Sequence, residues 1–314
     1  MNCEINANSL WSQQQLSAVY QSIANSNSLL LSGEIDSGRS ILIKQIVQFI
    51  ICTNGDKQIC NACNDCLLFK HNTHPDILFL DEPNNTNTTI KIEKIRELIS
   101  FTQTKPNNAK YKIAVLFNAN TLNFSGMNAI LKVLEEPSGD AKIILGSFKP
   151  ILATITSRCR KIPVPLATLA TKYLNSLESV DEKELLQLLA ITDNLPLRAI
   201  NYQQQNALGF AKAIISSKTS IDWHNNLKKA SITLLLELIL IILADALKHL
   251  LYNANLQLTI LDDEWEKKLS TTTNAKIFQA LTNFNLINKQ INIQQNLNQV
   301  ASIQQLSAVW FNIW

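Results

Sequence analysis

The sequence predicts an α/β domain with a parallel sheet in the first half of the chain and helices alone in the second half. Four short apolar runs have the length of buried strands: Leu29 to Leu31, Ile77 to Leu80, Ile113 to Phe117 and Ile143 to Leu145. A longer amphipathic segment follows each run, and this alternation is typical of a parallel sheet covered by helices. From about Leu166 the strand pattern is lost, so we expect only helices beyond it.

One predicted helix lies between the second and third strands. Apolar residues recur there at the spacing of a helix face, at Ile92, Ile95, Leu98 and Ile99, while charged residues occupy most of the other positions. Such a stripe is typical of a surface helix that packs one face on a sheet. We therefore expect an amphipathic helix over this segment.

Composition and charge restrict the class of protein. Of the 314 residues, 46% are hydrophobic, and the formal net charge is +3. The chain therefore has enough apolar surface to fold, and too little positive charge to indicate a dedicated nucleic-acid binder. The longest apolar run, Leu234 to Leu243, falls well short of the roughly 20 residues that a membrane span needs. No secretory signal pattern opens the sequence, so we expect a cytoplasmic protein without a membrane contact.

The pattern along the chain predicts three domains. The sheet domain covers residues 1–165, and a small helical domain follows at 166–207. The turn-forming residues Asp193, Asn194 and Pro196 mark a break between an early group of helices and a later one. Residues 208–314 form the third domain, which we expect to be entirely helical.

A glycine-containing loop follows the first predicted strand. Gly33, Gly38, Arg39 and Ser40 stand at the spacing of the phosphate loop G-x-x-x-x-G-K-[ST], with arginine in place of the lysine. A guanidinium is longer than an ammonium and presents its donors in a different geometry. The substitution predicts loss of ATP hydrolysis and puts ATP binding in question. The alternative is an ordinary turn between a strand and a helix.

The end of the third predicted strand departs from the ATPase pattern as well. Asn118, Ala119 and Asn120 stand where an active enzyme carries acidic residues for magnesium and the attacking water. We therefore expect no carboxylate at this position. Two departures at the two expected places favour a nucleotide site that has lost its activity.

Four of the six cysteines lie within one short segment, Cys52, Cys60, Cys63 and Cys66. In a cytoplasmic chain this clustering indicates tetrahedral coordination of a zinc ion by four thiolates, with no open position for catalysis. Unligated cysteines or a redox pair are the alternative. His71 and His74 follow closely, but with four thiolates present we expect them to be turn or surface residues.

A last candidate lies at the far edge of the sheet domain. Ser157, Arg158 and Cys159 follow Leu152 to Thr156, a segment that we expect to be extended. Taken alone, an arginine in this position is most often a surface or salt-bridge residue. Its sequence context gives it a second interpretation.

Several motifs follow one another in a fixed order along the first half of the chain. After the glycine loop and the cysteine cluster come the turn at His74 to Asp76, the triplet at Ile95 to Glu97, the stretch Asn128 to Pro137 and the triplet at Ser157 to Cys159. In this order they resemble the clamp-loader branch of the AAA+ family, and within it the bacterial delta-prime subunits. The stretch ending in Glu135, Glu136 and Pro137 is the most specific match.

The resemblance implies a fold and a function. It implies a RecA-like AAA+ sheet domain with a zinc module, a small helical lid and a helical collar domain. Its members assemble with gamma, tau and delta subunits in the DNA polymerase III holoenzyme, a nucleotidyltransferase, and load the beta sliding clamp on primed DNA by using ATP. In that family the serine-arginine-cysteine triplet reaches the nucleotide site of a neighbouring subunit, which makes Arg158 a candidate arginine finger acting in trans.

Two other functions remain open at the level of the sequence. The ATPase subunits of the family, gamma and tau, share the zinc module and the arginine triplet, and only the altered loop and the missing acidic residues separate this chain from them. A zinc-dependent nucleic-acid-binding module fused to helices is the other possibility, which the small net charge supports poorly.

Overall fold

Two compact units make up the chain, Met1–Tyr173 and Leu174–Trp314. The computed structural model describes residues 10–23, 26–53, 59–83, 88–137, 140–164, 182–252, 263–293 and 299–313. The expected start of the lid, from residue 166 to residue 181, lies outside the described residues. The division into three domains at residues 165 and 207 therefore stays a prediction.

The first unit contains a parallel sheet of five strands in the order β2-β3-β4-β1-β5. The strands are β1 (Ser28–Ser32), β2 (Ile77–Phe79), β3 (Lys112–Leu116), β4 (Ala141–Ser147) and β5 (Arg160–Pro163). The four strands predicted from apolar runs are confirmed to within two residues at each end. A parallel sheet in this order with a glycine loop after β1 is the RecA-like arrangement, and the predicted fold class is confirmed.

The fifth strand and the segment before it differ from the prediction. Residues Ala153–Thr156 form one turn of helix and not the expected extended segment, and the strand comes after the arginine triplet. The run of β-branched side chains there suggests a strand, but the hydroxyls of Thr156 and Ser157 donate to the carbonyls of Leu152 and Thr154 at 3.1 Å each. Such local bonds favour a turn over a strand.

Helices pack on the sheet of the first unit. In the first unit they are α1 (Gln13–Ile23), α2 (Arg39–Ile51), α3 (Asn64–Lys70), α4 (Ile92–Thr102), α5 (Phe124–Glu135) and α6 (Ala153–Thr156). The predicted amphipathic helix is confirmed as α4, in which Ile95 and Leu98 are fully buried. These two side chains belong to a core cluster with Leu30, Leu116 and Leu145 of the strands.

Helix α2 also approaches the end of β4 closely. A Cβ added at Gly146 would lie 2.4 Å from the carbonyl oxygen of Phe117 and 2.8 Å from Cδ1 of Ile43. No side chain fits in that space, so the glycine lets β3, β4 and α2 converge. This convergence brings the loop after β1 next to the end of β3.

The second unit is helical throughout its described residues, which confirms the helical prediction there. Its helices are α7 (Glu182–Ile191), α8 (Pro196–Gln204), α9 (Ala207–Ser216), α10 (Ser220–Leu227), α11 (Ile232–Tyr252), α12 (Asp263–Thr271), α13 (Asn274–Ile293) and α14 (Gln299–Phe311). Trp265 and Trp310 stack in its core with ring centres 6.0 Å apart. Among the described helices, none has both the length and the apolar character needed to cross a membrane.

Candidate nucleotide and metal sites

The loop after β1 is tied to β4 at its start and turns sharply at Gly38. The amide of Gly33 donates to the carbonyl of Ser147 at 3.1 Å, which fixes the start of the loop to the end of β4. Gly38 has a φ of +87°, and a Cβ there would lie 2.8 Å from Cη2 of the buried Trp11. Only glycine fits this left-handed turn, and α2 begins directly after it at Arg39.

Arg39 lies across this loop and is almost completely buried, with 5% of its surface exposed. Its Nη1 donates to the carbonyl of Gly33 at 2.8 Å, and its Nη2 donates to Oδ1 of Asn118 at 3.2 Å. Burial lowers the pKa of the guanidinium to about 10, against the opposing effect of the carboxylate of Asp81. At that pKa the group remains charged at neutral pH, and two of its donors are already used by the protein itself.

The end of β2 supplies a carboxylate that the sequence analysis did not single out. Both oxygens of Asp81 face the end of β3, where Oδ1 accepts from the amide of Phe117 at 2.6 Å and Oδ2 accepts from the amide of Asn118 at 3.0 Å. The end of β3 itself carries no carboxylate, as the sequence indicates, but the neighbouring strand brings one beside it. Asp81 directly follows an apolar run, and the carboxyl ends of neighbouring parallel strands meet at one edge, so its position in the sequence could have indicated it.

Asn118 ties three chain segments together at this edge. The residue is fully buried, and its Nδ2 donates to Oδ2 of Asp81 at 2.9 Å and to the carbonyl of Glu82 at 3.0 Å. Its oxygen accepts the bond from Arg39. Burial raises the pKa of Asp81, although its hydrogen bonds and Arg39 act in the opposite direction. The amide thus holds the carboxylate and the guanidinium in one hydrogen-bonded group.

Asn120, which follows β3, forms hydrogen bonds that hold the end of β4. Its Oδ1 accepts from the amide of Phe148 at 3.1 Å and from the hydroxyl of Ser147 at 3.2 Å. Carboxylates in these two positions of an active enzyme are directed at magnesium and water. Here the two amides hold neighbouring strands instead.

The structure brings the four predicted cysteines together. Cys52 lies directly after α2, Cys60 and Cys63 lie in the following turn, and Cys66 lies in α3. Their Sγ atoms all lie within 4.8 Å of one another, with 3.5 Å from Cys52 to Cys60 and 4.0 Å from Cys60 to Cys66. Sulfurs of a tetrahedral site with metal bonds of about 2.3 Å are roughly 3.8 Å apart, so the cluster could hold a metal ion.

Backbone amides surround the thiols and favour their charged form at two positions. The amides of Ala62 and Cys63 lower the pKa of the Cys60 thiol. At Cys63, burial acts upward, but the amide of Cys66 and the residue Thr53 outweigh it and bring the pKa to about 6. Thiolates are the form that binds metal, so these amides prepare the cluster for a cation. Burial raises the pKa of the Cys66 thiol, and a bound cation would oppose that effect.

The two histidines near the cluster differ from each other. His71 is an exposed residue at the end of α3, as expected, whereas His74 is buried and not at the surface. Nε2 of His74 lies 3.2 Å from Oδ1 of the buried Asp65, and Nδ1 accepts from the amide of Asp76 at 3.1 Å. Neither histidine belongs to the group of metal-ligating atoms. His74 therefore joins α3 to the start of β2.

Asp76, which the sequence analysis named only as part of a turn, is a buried anion. Its oxygens accept from the amides of Asn107, Asn108 and Ala109 at 2.7 to 2.9 Å, and Lys112 Nζ lies 3.0 Å from Oδ1. Burial raises the pKa of this carboxyl, but the three amides and the lysine outweigh burial and bring it to about 2. The carboxylate therefore organises the loop that leads into β3.

Arg158 forms its hydrogen bonds with residues outside the loop after β1 and the cysteine cluster. It follows α6, and it donates through Nε to Oε1 of Glu135 at 2.9 Å and through Nη1 to the carbonyl of Thr154 at 2.8 Å. Its side chain is 35% exposed. The prediction of an exposed arginine with a salt bridge is therefore confirmed, and its role toward a neighbouring subunit stays a prediction.

Comparison with known proteins gives the chain its family. Residues 11–167, half of the chain, match the family described as DNA polymerase III, delta subunit. The delta-prime subunit of Pseudomonas aeruginosa is 31% identical over 60% of this chain and 59% of its own length. The delta-prime subunit of Escherichia coli K12 is 27% identical over 68% of this chain and 66% of its own length.

One relative has a different subunit name. The gamma subunit of DNA polymerase III from Buchnera aphidicola of Acyrthosiphon pisum is 24% identical over 64% of this chain and 55% of its own length. The chain thus spans about three fifths of the length of the curated relatives it matches. The chain belongs to the DNA polymerase III delta subunit family, and its predicted resemblance to the bacterial delta-prime subunits is confirmed.

Proposed function

We propose that this chain is a clamp-loader subunit of the delta-prime type, which works in the cytoplasm without turning over ATP itself. It would assemble with gamma or tau and delta subunits into a complex that opens the beta sliding clamp and loads it on primed DNA during replication. Membership of the delta subunit family and the delta-prime relatives support this role. The helical second unit is suited to serve as the collar through which the subunits associate.

The observation that carries the proposal is the bonding of Arg39. A working phosphate loop needs a cation whose donors are free to meet the terminal phosphates. Here the guanidinium is buried and donates to Gly33 and Asn118, and Asn118 also binds the carboxylate of Asp81. Entry of a nucleotide phosphate would have to break these bonds, so the site is closed by the protein's own side chains.

The cysteine cluster would hold a structural zinc ion through Cys52, Cys60, Cys63 and Cys66. Four thiolates fill a tetrahedral shell and leave no position for water or substrate. The sulfur separations of 3.5 and 4.0 Å suit zinc. The ion would stabilise the segment between α2 and α3 and take no part in a reaction.

Arg158 would supply the chain's contribution to ATP hydrolysis, in the nucleotide site of a neighbouring subunit. An arginine in such a position stabilises the charge that develops on the transferring phosphoryl group. Its partial exposure makes it available to a second protein. Among the described residues that we consider for catalysis, Arg158 is the group that fits a role in trans.

The test is clamp loading by a reconstituted complex that carries Arg158→Ala. We expect the loading rate to fall by about tenfold or more, because an arginine finger contributes roughly 10³ to 10⁵ at the site it serves. Arg160→Ala is the matched control, since Arg160 is an exposed arginine two residues further along, and it should load at the normal rate. If the complex with Arg158→Ala loaded the clamp as fast as the complex with the natural chain, the proposed role of Arg158 in trans would be wrong.

An active ATPase of the gamma type is the second candidate, favoured by the gamma relative. It predicts tight ATP binding by the isolated chain, whereas the bonds of Arg39 and Asn118 favour none. Equilibrium titration with a fluorescent nucleotide distinguishes the two. Micromolar binding that depends on magnesium would support the gamma-type function.

A further inference from the structure

The salt bridge between Glu135 and Arg158 has a geometry that orients the arginine. The two residues are 23 positions apart in sequence, one at the end of α5 and the other after α6. Nε of Arg158 donates to Oε1 of Glu135 at 2.9 Å, and Nη2 contacts the same oxygen. The carboxylate of Glu135 thus contacts the edge of the guanidinium that is formed by Nε and Nη2.

A third bond completes the hold on the guanidinium. Nη1 of Arg158 donates to the carbonyl of Thr154 at 2.8 Å, from the first turn of α6. A guanidinium has five N–H donors, of which these contacts use three. Two donors remain for an acceptor that approaches from outside the chain, and the group is already fixed in one plane.

Stability does not account for Glu135. Its side chain is 48% exposed and that of Arg158 is 35% exposed, and salt bridges at such exposure contribute little to stability. Glu135 is also the last residue of α5, where a negative charge is unfavourable beside the helix dipole. Glu135 is unfavourable for the helix dipole and adds little to the stability of the fold. Its contact with Arg158 is better explained by an effect on the orientation of that arginine.

We propose that Glu135 is a positioning residue, which holds Arg158 so that its two remaining donors meet the terminal phosphate of a nucleotide bound by the neighbouring subunit. The inference rests on the proposed function of Arg158. Holding the guanidinium in advance removes the freedom that a long side chain would otherwise lose during the reaction. The carboxylate offsets part of the positive charge, so Glu135 acts through orientation and not through added charge.

The experiment compares four complexes that contain the complete chain with Glu135→Ala, Glu135→Gln, Arg158→Ala or both alanine changes. The rate of ATP hydrolysis is measured as kcat and KM, together with thermal unfolding of each variant. We expect Glu135→Ala to lower kcat by ~10- to 100-fold with KM within about twofold, since misplaced groups lose rate more than binding. Glu135→Gln keeps an acceptor oxygen for Nε and should retain activity within about threefold of the natural chain.

The double variant separates positioning from a structural role. If Glu135 acts only through Arg158, adding Glu135→Ala to Arg158→Ala changes kcat no further. A further loss in the double variant, or an unchanged or raised kcat with Glu135→Ala alone, would overturn the inference. Glu136→Ala is the matched control, because Glu136 is the exposed neighbour at the end of the same helix, and it should leave kcat and KM unchanged.

The outcomes also separate this inference from the function on which it rests. Loss of activity with Arg158→Ala but not with Glu135→Ala overturns the positioning role and leaves the arginine finger in place. Unchanged activity with Arg158→Ala overturns both, because there would then be no function for Glu135 to support.

Discussion

Arg39 and Asn118 share a hydrogen bond of 3.2 Å, although 79 residues separate them in the sequence. One stands in the position of the phosphate-binding lysine, and the other stands where an acidic residue would meet magnesium. The two departures from the ATPase pattern are therefore one structural feature. Each residue supplies the hydrogen-bond partner that the other needs when both are buried.

Arg39 should therefore contribute to stability as a part of the fold. Arg39→Ala leaves the half-buried carbonyl of Gly33 and the buried oxygen of Asn118 without this donor. We expect the free energy of unfolding to fall by about 1 to 3 kcal/mol, measured by urea denaturation. Arg160→Ala, at an exposed arginine, should change it by less than ~0.5 kcal/mol. Equal stability of the two variants would contradict this account of Arg39.

The cysteine cluster gives a prediction about metal content. Elemental analysis of the purified chain should find about one zinc per chain, and Cys63→Ser should lose the metal and unfold at a lower temperature. Cys159→Ser is the control, because Cys159 does not belong to the cluster, and it should keep the metal. A folded chain that is free of metal would exclude the zinc assignment.

The carboxylate of Asp76 predicts a pH dependence. Its pKa is held at about 2, below the ordinary 3.8, so its stabilising effect is complete above about pH 4 and is lost as the pH falls towards 2. At neutral pH the carboxylate should contribute about 2 kcal/mol. Asp76→Asn should therefore be less stable than the natural chain at pH 7, and the difference should narrow below pH 4.

Urea denaturation at several pH values measures that difference. Asp140→Asn is the control, since Asp140 is exposed, and its stability should follow that of the natural chain at each pH. A difference for Asp76→Asn that stays constant from pH 7 to pH 2.5 would mean that the carboxylate is not the stabilising group.

We expect His74 to contribute to the stability of the fold and His71 to contribute little. His74→Ala removes the partner of the buried Asp65 and the acceptor of the Asp76 amide, so we expect a loss of about 2 kcal/mol in the free energy of unfolding. His71→Ala, three residues earlier and exposed, should be close to neutral. A neutral effect of both changes would mean that the contacts of His74 contribute nothing.

The sequence predicted what depends on local patterns. Four strands could be predicted because their apolar runs are continuous, whereas β5 contains Arg160, Lys161 and Pro163 and has one buried residue, Ile162. The cysteine cluster was predictable from spacing because its four members lie within one short segment of the sequence.

Contacts between distant segments could not be predicted in the same way. The position of Asp81 after an apolar run indicates that it lies at the carboxyl edge of the sheet. Its bonds to Asn118 depend on β2 and β3 being neighbours, and no pattern within either segment indicates that order. The pairing of Glu135 with Arg158 depends on how α5 ends beside α6, which follows from the packing of both on the sheet. The residue types of the site could thus be predicted, but their hydrogen-bond partners required the structure.

The most direct test of the account is equilibrium titration of the isolated chain with ATP and magnesium. Because Arg39 donates to Gly33 and Asn118 across the loop after β1, the proposed function predicts no saturable binding, with a Kd weaker than about 1 mM. The proposed complex with gamma or tau subunits serves as the positive control in the same measurement. Saturable binding by the isolated chain in the micromolar range, lost when magnesium is removed, would contradict the account.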